Sequence, residues 1–349
     1  MKLYLSILLL LSTFEGYLSA MTPKKVLMIG AAGQRGQQFF SKFLNSDDFK
    51  VSGFVLRKTL PSNILEYAKD GEIHFDIDSA LNSQEYDLAV ITTIHKGKDE
   101  LLEKLVSKGI QVLKEKPLMV EEGSKDRITH LLNSRGSKAV LVSAHRPYLK
   151  SFALARAHLD LLGGIEGFDY TFNFALPSPT SGWRAKKDLA KGGVLLDMGY
   201  HAIDALLSFF PTIRLDDAVF DFRYPETLEE GLEDEAHLSF SDQNGYFGAL
   251  HLNRHAAEKA EILKIFGRQY NMEVQAKEAR IIDFDGNVIR RFNSDSVDKI
   301  DPFINALTHP EHWNWEESTN RAIKTNQIIF DAYQDGVWLN NKAKDSQAG

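Results

Sequence analysis

Lys25-Val26-Leu27-Met28-Ile29-Gly30-Ala31-Ala32-Gly33-Gln34-Arg35-Gly36 is the stretch that decides the fold. Its first half is an apolar run without alternation, the pattern of a parallel strand buried on both faces. The run ends in glycine, and from Gln37 to Leu44 apolar residues return at helical spacing. A strand, a glycine turn and a helix in direct succession leave unpaired backbone amides at a helix N-terminus, where a pyrophosphate can sit. The spacing G-x-x-G-x-x-G has one residue more in its first interval than the commoner G-x-G-x-x-G. Gly30, Ala32, Gly33, Gln34, Arg35 and Gly36 are therefore candidate cofactor-binding positions.

Working outward, Val51 to Leu56 reads as a second strand ending in Arg57-Lys58. An acidic residue near such a strand end accepts bonds from ribose hydroxyls, whereas basic residues accommodate a 2′-phosphate. No acid is present, so NADP(H) is expected over NAD(H), with Arg57 the main phosphate contact and Lys58 or Arg35 helping. A short strand near Ile73 to Phe75, a buried strand from Tyr86 to Thr93 and a crossover helix from Gly97 to Lys108 continue the α/β alternation. Thr92, Thr93, Ile94 and His95 fall at the carboxyl end of a strand, where open parallel sheets bind ligands. Ile110 to Lys114 is a further strand, followed by Glu115-Lys116-Pro117. Proline keeps Lys116 out of helical geometry at the sheet edge, where it can stabilise an alkoxide beside a nicotinamide.

A second chemical signal lies in Gly192-Gly193-Val194-Leu195-Leu196-Asp197-Met198-Gly199-Tyr200-His201-Ala202-Ile203-Asp204. The glycines suggest a flexible entry, and Val194, Leu195, Met198, Ala202, Ile203, Leu206 and Leu207 form a helical apolar stripe. Asp197 and His201 stand four apart, on one face, able to share a proton or one substrate hydroxyl. A metal site built on this pair is set aside, because no third ligand stands at motif spacing.

Composition narrows the classes. The chain has 349 residues, 43% of them apolar, enough for about two domains. Net charge is −7 with scattered basic residues, which argues against a nucleic-acid partner. Cysteine is absent, which removes thiolate chemistry and disulfides. Residues 1–20 have the three regions of a secretory signal, with an apolar run too short to span a membrane. Met21 stands just before the first strand, where a cytoplasmic enzyme would begin. A cytoplasmic location is expected, with secretion the alternative if residues 1–20 are a true signal.

Gly30 to Gly36, Glu115-Lys116-Pro117 and the Asp197/His201 helix, in this order, resemble the Gfo/Idh/MocA dehydrogenases. Ser143-Ala144-His145-Arg146, Gly163-Gly164-Ile165-Glu166-Gly167 and Ser181-Gly182-Trp183-Arg184 add to the likeness, which runs from about Lys24 to the C-terminus. The glycine spacing and the lack of a proline after Thr93 depart from the pattern. The resemblance implies α/β followed by α+β: a Rossmann dinucleotide-binding domain at 21–146, then an open, largely antiparallel sheet at 147–349 for substrate binding and oligomerisation. Strand-like runs support this at Phe168 to Phe174, Ala236 to Phe240, Tyr246 to Leu252, Ala260 to Phe266, Asn271 to Gln275 and Ala279 to Phe284. Ser318 to Trp338 reads as a closing helix.

The resemblance also implies a small-molecule substrate, a homodimer or homotetramer, and a pocket lined by Lys116, Asp197 and His201. The expected reaction is hydride transfer between nicotinamide and a secondary hydroxyl or carbonyl of a sugar, cyclitol or related molecule. His201 exchanges the hydroxyl proton, Asp197 orients it, Lys116 stabilises the alkoxide, and Glu115 lies beside the cofactor. Arg146, Trp183 and Arg184 are candidates for distal substrate contacts. The alternatives are an NADPH-dependent imine or double-bond reductase and a non-catalytic NADP-binding regulator. The intact triplet argues against the regulator.

Overall fold

The computed structural model describes residues 22–57, 71–177, 180–294 and 298–339. Lys58 and the signal-like segment 1–20 lie outside the described residues.

Six strands make the first sheet: β1 (Lys24–Ile29), β2 (Phe49–Val55), β3 (Glu72–His74), β4 (Leu88–Ile91), β5 (Gln111–Lys114) and β6 (Val140–Val142). All pairings are parallel and the order is β3-β2-β1-β4-β5-β6. Chain direction of travel across the sheet therefore reverses between β1 and β4, which opens a crevice at their carboxyl ends. Helix α1 (Gln34–Leu44) buries Gly36, Phe39, Phe40 and Phe43, an i, i+3, i+4, i+7 stripe, against this sheet. Helices α2 (Ile77–Ser83), α3 (Lys98–Ser107) and α4 (Lys125–Arg135) complete the crossovers.

After α5 (Lys150–Arg156) the chain builds a nine-stranded sheet: β7 (Ile165–Ala175), β8 (Arg214–Asp221), β9 (Glu235–Ser241), β10 (Phe247–Asn253), β11 (His255–Gly267), β12 (Asn271–Val274), β13 (Glu278–Ile282), β14 (Val288–Asn293) and β15 (Val337–Trp338). Its order is β14-β13-β12-β11-β7-β10-β9-β8-β15. Only the β10–β7 and β15–β8 pairs run parallel. One face buries Phe168, Tyr170, Phe172, Leu250, Leu252, Leu263 and Ile265.

Between β7 and β8 lie the one-turn α6 (Lys187–Ala190) and a helix that begins as a π-helical turn, Leu195–Gly199, and continues as α7 (Tyr200–Phe209). Helix α8 (Pro225–Glu230) follows β8. Helix α9 (Asp301–Thr308) returns to the first sheet, where Phe303 and Ile304 share a buried cluster with Val26, Met28 and Phe39. Helix α10 (Trp315–Asp335) packs on α7, β8 and β6 and so ties the two sheets together. Its Arg321 bonds Asp204 of α7 at 2.9 Å, both groups buried.

Three expectations need correction. Strands β8 and β14 were not expected; β8 carries paired aspartates at a register shift, and β14 is an exposed edge strand. The closing helix stops at Asp335, because Val337 and Trp338 pair with β8 instead. Gly192 and Gly193 are not a flexible entry: an added Cβ on Gly193 would lie 2.3 Å from the Glu233 carbonyl oxygen, and one on Gly192 2.6 Å from the Tyr333 hydroxyl.

Candidate active site

The glycine turn divides its work among its three glycines. Gly30 has φ of +90°, the left-handed region glycine tolerates. Gly36 has no room for a side chain, since a Cβ would stand 2.5 Å from the Gly30 carbonyl oxygen, so α1 packs directly on the turn. At Gly33 the space is open, with only the Gly30 oxygen nearby at 3.6 Å. Gly33 caps α1 without any side-chain bond, leaving the first amides of the helix free to hold an anion. These are the features a dinucleotide diphosphate requires.

Around this turn opens a cleft of about 1250 Å³ lined by both sheets' elements, among them Gln34, Arg35, Thr92, Thr93, His95 and Glu115. Lys116, Arg146, Trp183, Arg184, Asp197 and His201 also line it. The structure thus brings together residues that are up to 266 positions apart, from Gln34 to Ile300. Ile94 is not among the lining residues, and Arg57 is exposed at the end of β2 with no partner among the described residues.

Lys116 precedes a cis peptide bond to Pro117. Its Nζ donates to Asp197 Oδ1 at 2.8 Å and also to the Asp197 carbonyl. Arg184 Nε donates to the other carboxylate oxygen at 2.7 Å. Burial alone would raise the Asp197 carboxyl, but Lys116 and then Arg184 outweigh it and hold the group well below the usual carboxylate range. The expected sharing of a proton between Asp197 and His201 is not what the geometry gives. Asp197 sits within the π turn, and its carboxylate is committed to Lys116 and Arg184.

His201 instead faces His145, ring centroids 5.0 Å apart, and its Nδ1 is buried with no partner among the described residues. Burial, then the charges of Arg146 and Lys116, hold His201 well below the ordinary imidazole value, so it is neutral at neutral pH. Arg146 is tied in two bonds to Glu261, at 2.9 and 3.1 Å, and donates to His145 Nε2 at 2.9 Å. It acts as a buried cation beside the histidines, not as a free arm toward a distal substrate. Arg184 is likewise committed to Asp197, and it lies over the Trp183 ring at 4.4 Å. Arg35 pairs with Glu115 at 2.8 Å, so its expected help with a 2′-phosphate competes with that bond. His95 is buried; Nδ1 donates to the Ala190 carbonyl at 2.7 Å, and burial, then Lys98 and Lys116, push it down to about 3.

Sequence motifs of this kind are what family models describe, and two of them match. Residues 24–143 fit an oxidoreductase family with an NAD-binding Rossmann fold, and residues 154–281 fit the GFO/IDH/MocA C-terminal domain. The chain belongs to the Gfo/Idh/MocA family. Among its Gfo/Idh/MocA relatives is a protein of Amycolatopsis mediterranei named as a UDP-kanosamine synthase oxidoreductase subunit, 30% identical over 129 residues. That match covers 37% of this chain and 36% of the relative, so the chain spans about a third of that relative's length. Solved structures of similar fold include KijD10, a 3-ketoreductase from Actinomadura kijaniata in complex with NADP and TDP-benzene. It has a TM-score of 0.75 at 17% identity, over 91% of this chain and 99% of that one. Levoglucosan dehydrogenase in complex with NADH and L-sorbose has a TM-score of 0.71 at 17% identity, over 90% and 97%.

Several residues that build this Gfo/Idh/MocA cleft gave no sign in the sequence. Lys98, at the start of α3, is buried and donates to the carbonyls of Glu115 and Lys116 at 3.4 and 3.3 Å. Burial, then Lys114, lower it to about 7. Asp99, also buried, accepts from the amides of Val120 and Glu121 and from Ser124, and Asn326 of α10 bonds both backbone groups of Met119. Together they pin the chain that follows Lys116. Glu233 accepts from the amides of Gly193 and Leu195 at 3.0 and 2.9 Å, which caps the helix carrying Asp197 and His201. Among the described residues no helix is long and apolar enough to cross a membrane.

Proposed function

We propose that this protein is an NADP(H)-dependent oxidoreductase acting on a secondary hydroxyl or carbonyl of a sugar or cyclitol. The observation that carries the reading is the convergence of Lys116, Asp197 and a neutral His201 in one cleft with an open glycine turn. Gly30, Gly33, Gln34, Arg35 and Gly36 would hold the cofactor diphosphate, Arg57 its 2′-phosphate, and Thr92, Thr93, His95 and Glu115 the nicotinamide end. When bound, the nicotinamide supplies or takes the hydride.

The protein's own groups handle the proton. In the direction of oxidation, neutral His201 takes the proton of the substrate hydroxyl as general base; in reduction its protonated form returns it. Lys116 Nζ, fixed by Asp197, donates to the substrate oxygen as negative charge grows there. Asp197 remains ionised and holds Lys116 and Arg184 in place. Trp183 lies edge-on to His95, ring centroids 5.0 Å apart, and gives an apolar wall suited to a sugar face. In this reading residues 21–146 serve the cofactor and 147–349 the substrate, in a cytoplasmic homodimer or homotetramer. The names of the relatives, one a UDP-kanosamine synthase subunit and one a 3-ketoreductase, support a sugar substrate.

The test is spectrophotometric. Purified protein with NADP⁺ or NADPH, offered sugars, sugar nucleotides and cyclitols, should change absorbance at the nicotinamide band with at least one of them. Titration should give tighter binding of NADPH than NADH, and Arg57→Ala should weaken NADPH about tenfold while leaving NADH unchanged. Equal or tighter NADH binding by the wild type removes the cofactor preference.

A further inference from the structure

Most cations lining the cleft are ion-paired with a carboxylate, Lys116 and Arg184 sharing one. Arg35 has Glu115, Lys116 and Arg184 have Asp197, Arg146 has Glu261, and Lys42 has Asp298 at 3.1 Å. Lys98 is buried behind Lys116 against two backbone carbonyls. Two lysines that line the same cleft, Lys259 and Lys299, have no carboxylate partner among the described residues. Lys259 stands on β11 two positions before Glu261, with its Nζ 4.9 Å above the ring of Phe174 on β7. Lys299 stands just before α9. Partial burial, then repulsion from Arg146, Arg35 and Lys259, lowers Lys299 from the usual lysine value, with the Glu261 carboxylate opposing the shift. Both residues are exposed on this wall, which thus offers two lysines without a carboxylate ion pair among the described residues in a protein whose net charge is −7. Like charges facing one cleft repel, weakly where water screens them, and an anion seated between them is attracted by both.

Two anions could fill it, the cofactor's diphosphate or a charged group of the substrate. The cofactor's diphosphate has its own cradle at Gly33 and the free amides of α1. Lys259 and Phe174 belong instead to the second sheet, with Arg146 over the neighbouring Phe172 at 4.9 Å.

We propose that Lys259 and Lys299 form an anion subsite for the substrate, so that the sugar acted on carries a phosphoryl group, as a sugar phosphate or a nucleoside diphosphate sugar. The proposal rests on the reading of this cleft as the place where cofactor and substrate meet. Phe174 offers the aliphatic or ring portion of such a substrate a partly buried surface beside the charges. Both ammonium groups sit on flexible stems that can close on phosphoryl oxygens as point charges.

The experiment uses binding, so it does not depend on turnover. Protein saturated with NADP⁺ is titrated calorimetrically with UDP, with glucose 1-phosphate and with glucose. A phosphoryl probe should bind at least tenfold more tightly than glucose. The Lys259→Gln/Lys299→Gln double variant should lose that advantage while its NADPH affinity stays within about twofold. Tighter binding of UDP than of glucose 1-phosphate assigns the subsite to a nucleoside diphosphate, and equal binding to a single phosphoryl group. Phosphoryl probes no better than glucose, unchanged phosphoryl affinity in the double variant, or a tenfold loss of NADPH affinity in it would each overturn the proposal. Failure of the redox reading is seen separately, as phosphoryl binding without any absorbance change across the substrate panel.

Discussion

Three side chains carry the proposed chemistry, and each was legible in the sequence because a motif travels with it: Lys116 in Glu-Lys-Pro, Asp197 and His201 four apart. Their actual relations were not legible. Spacing alone put Asp197 beside His201, whereas the carboxylate is held by Lys116, 81 positions earlier, and by Arg184. A π-helical turn at Leu195–Gly199 breaks the regular phase that the spacing argument assumes. Lys98 is not legible in the sequence because a lysine is most often a surface charge, and nothing local marks one that folds beneath a strand end. If the roles are as proposed, His201→Ala should lower turnover by about 10²–10⁴, the usual worth of a positioned acid or base. Lys116→Ala should lower it by about 10²–10³, as for an oxyanion donor. NADPH affinity, read by fluorescence titration, should change little in His201→Ala, because the proposed role of His201 is toward the substrate hydroxyl while the cofactor diphosphate is assigned to the glycine turn. Undiminished turnover in either variant would strip that residue of its role.

At the scale of elements, the parallel sheet was readable because its strands are short apolar runs set off by helices of regular period. The second sheet was readable only where strands alternate or are continuously apolar. β8, with the sequence Arg-Leu-Asp-Asp-Ala-Val-Phe-Asp, has a register shift between Leu215 and Asp217 that breaks the alternation, and β14 lies at the exposed edge. The glycine pair before the helix that carries Asp197 and His201 shows the same limit. Its composition suggests freedom, but its environment is crowded: Val194 donates to the Glu233 carbonyl at 2.9 Å while the Glu233 carboxylate takes the amides of Gly193 and Leu195. Tyr333 of α10 donates to the same carboxylate at 2.8 Å. A methyl at Gly193 would meet backbone as well as side chain of Glu233, so neither can simply rotate away. Gly193→Ala should therefore cost about 1–3 kcal/mol of stability in urea unfolding, the range for overpacking a buried contact. It should also depress kcat more than NADPH affinity, because the displaced helix carries Asp197 and His201 and not the glycine turn. Wild-type stability in Gly193→Ala would show that the helix start is looser than its contacts indicate.

For the molecule as a whole, the site is assembled on buried bases, and that has a consequence for stability against pH. Lys98 and Lys114 are both buried at the end of the parallel sheet. Burial, then the charge of Lys114, brings Lys98 down to about 7, and burial, offset by Asp99, brings Lys114 down to about 8. In the unfolded chain each returns to about 10.4. Between the folded and unfolded values the unfolded chain binds more protons, so stability rises with pH across that window and is lost as pH falls toward 7. One such lysine contributes a slope of about 1.4 kcal/mol per pH unit within its window, and two add between pH 8 and 10. The tyrosines set the upper limit: burial raises Tyr170, Tyr200 and Tyr333 well above their usual value, so stability declines again once free tyrosines ionise above about pH 10. Without cofactor, urea unfolding followed from pH 6.5 to 9.5 should therefore give a midpoint that climbs through the range, instead of the maximum between about pH 5 and 8 that many proteins show. Lys98→Met, which keeps the apolar stem and removes the ionisable head, should flatten the climb between pH 7 and 8, where Lys114 contributes little. A midpoint that peaks near pH 6.5 and falls toward 9 would mean that both lysines stay charged in the folded protein, paired with groups other than the carbonyls and the Asp99 carboxylate they face here.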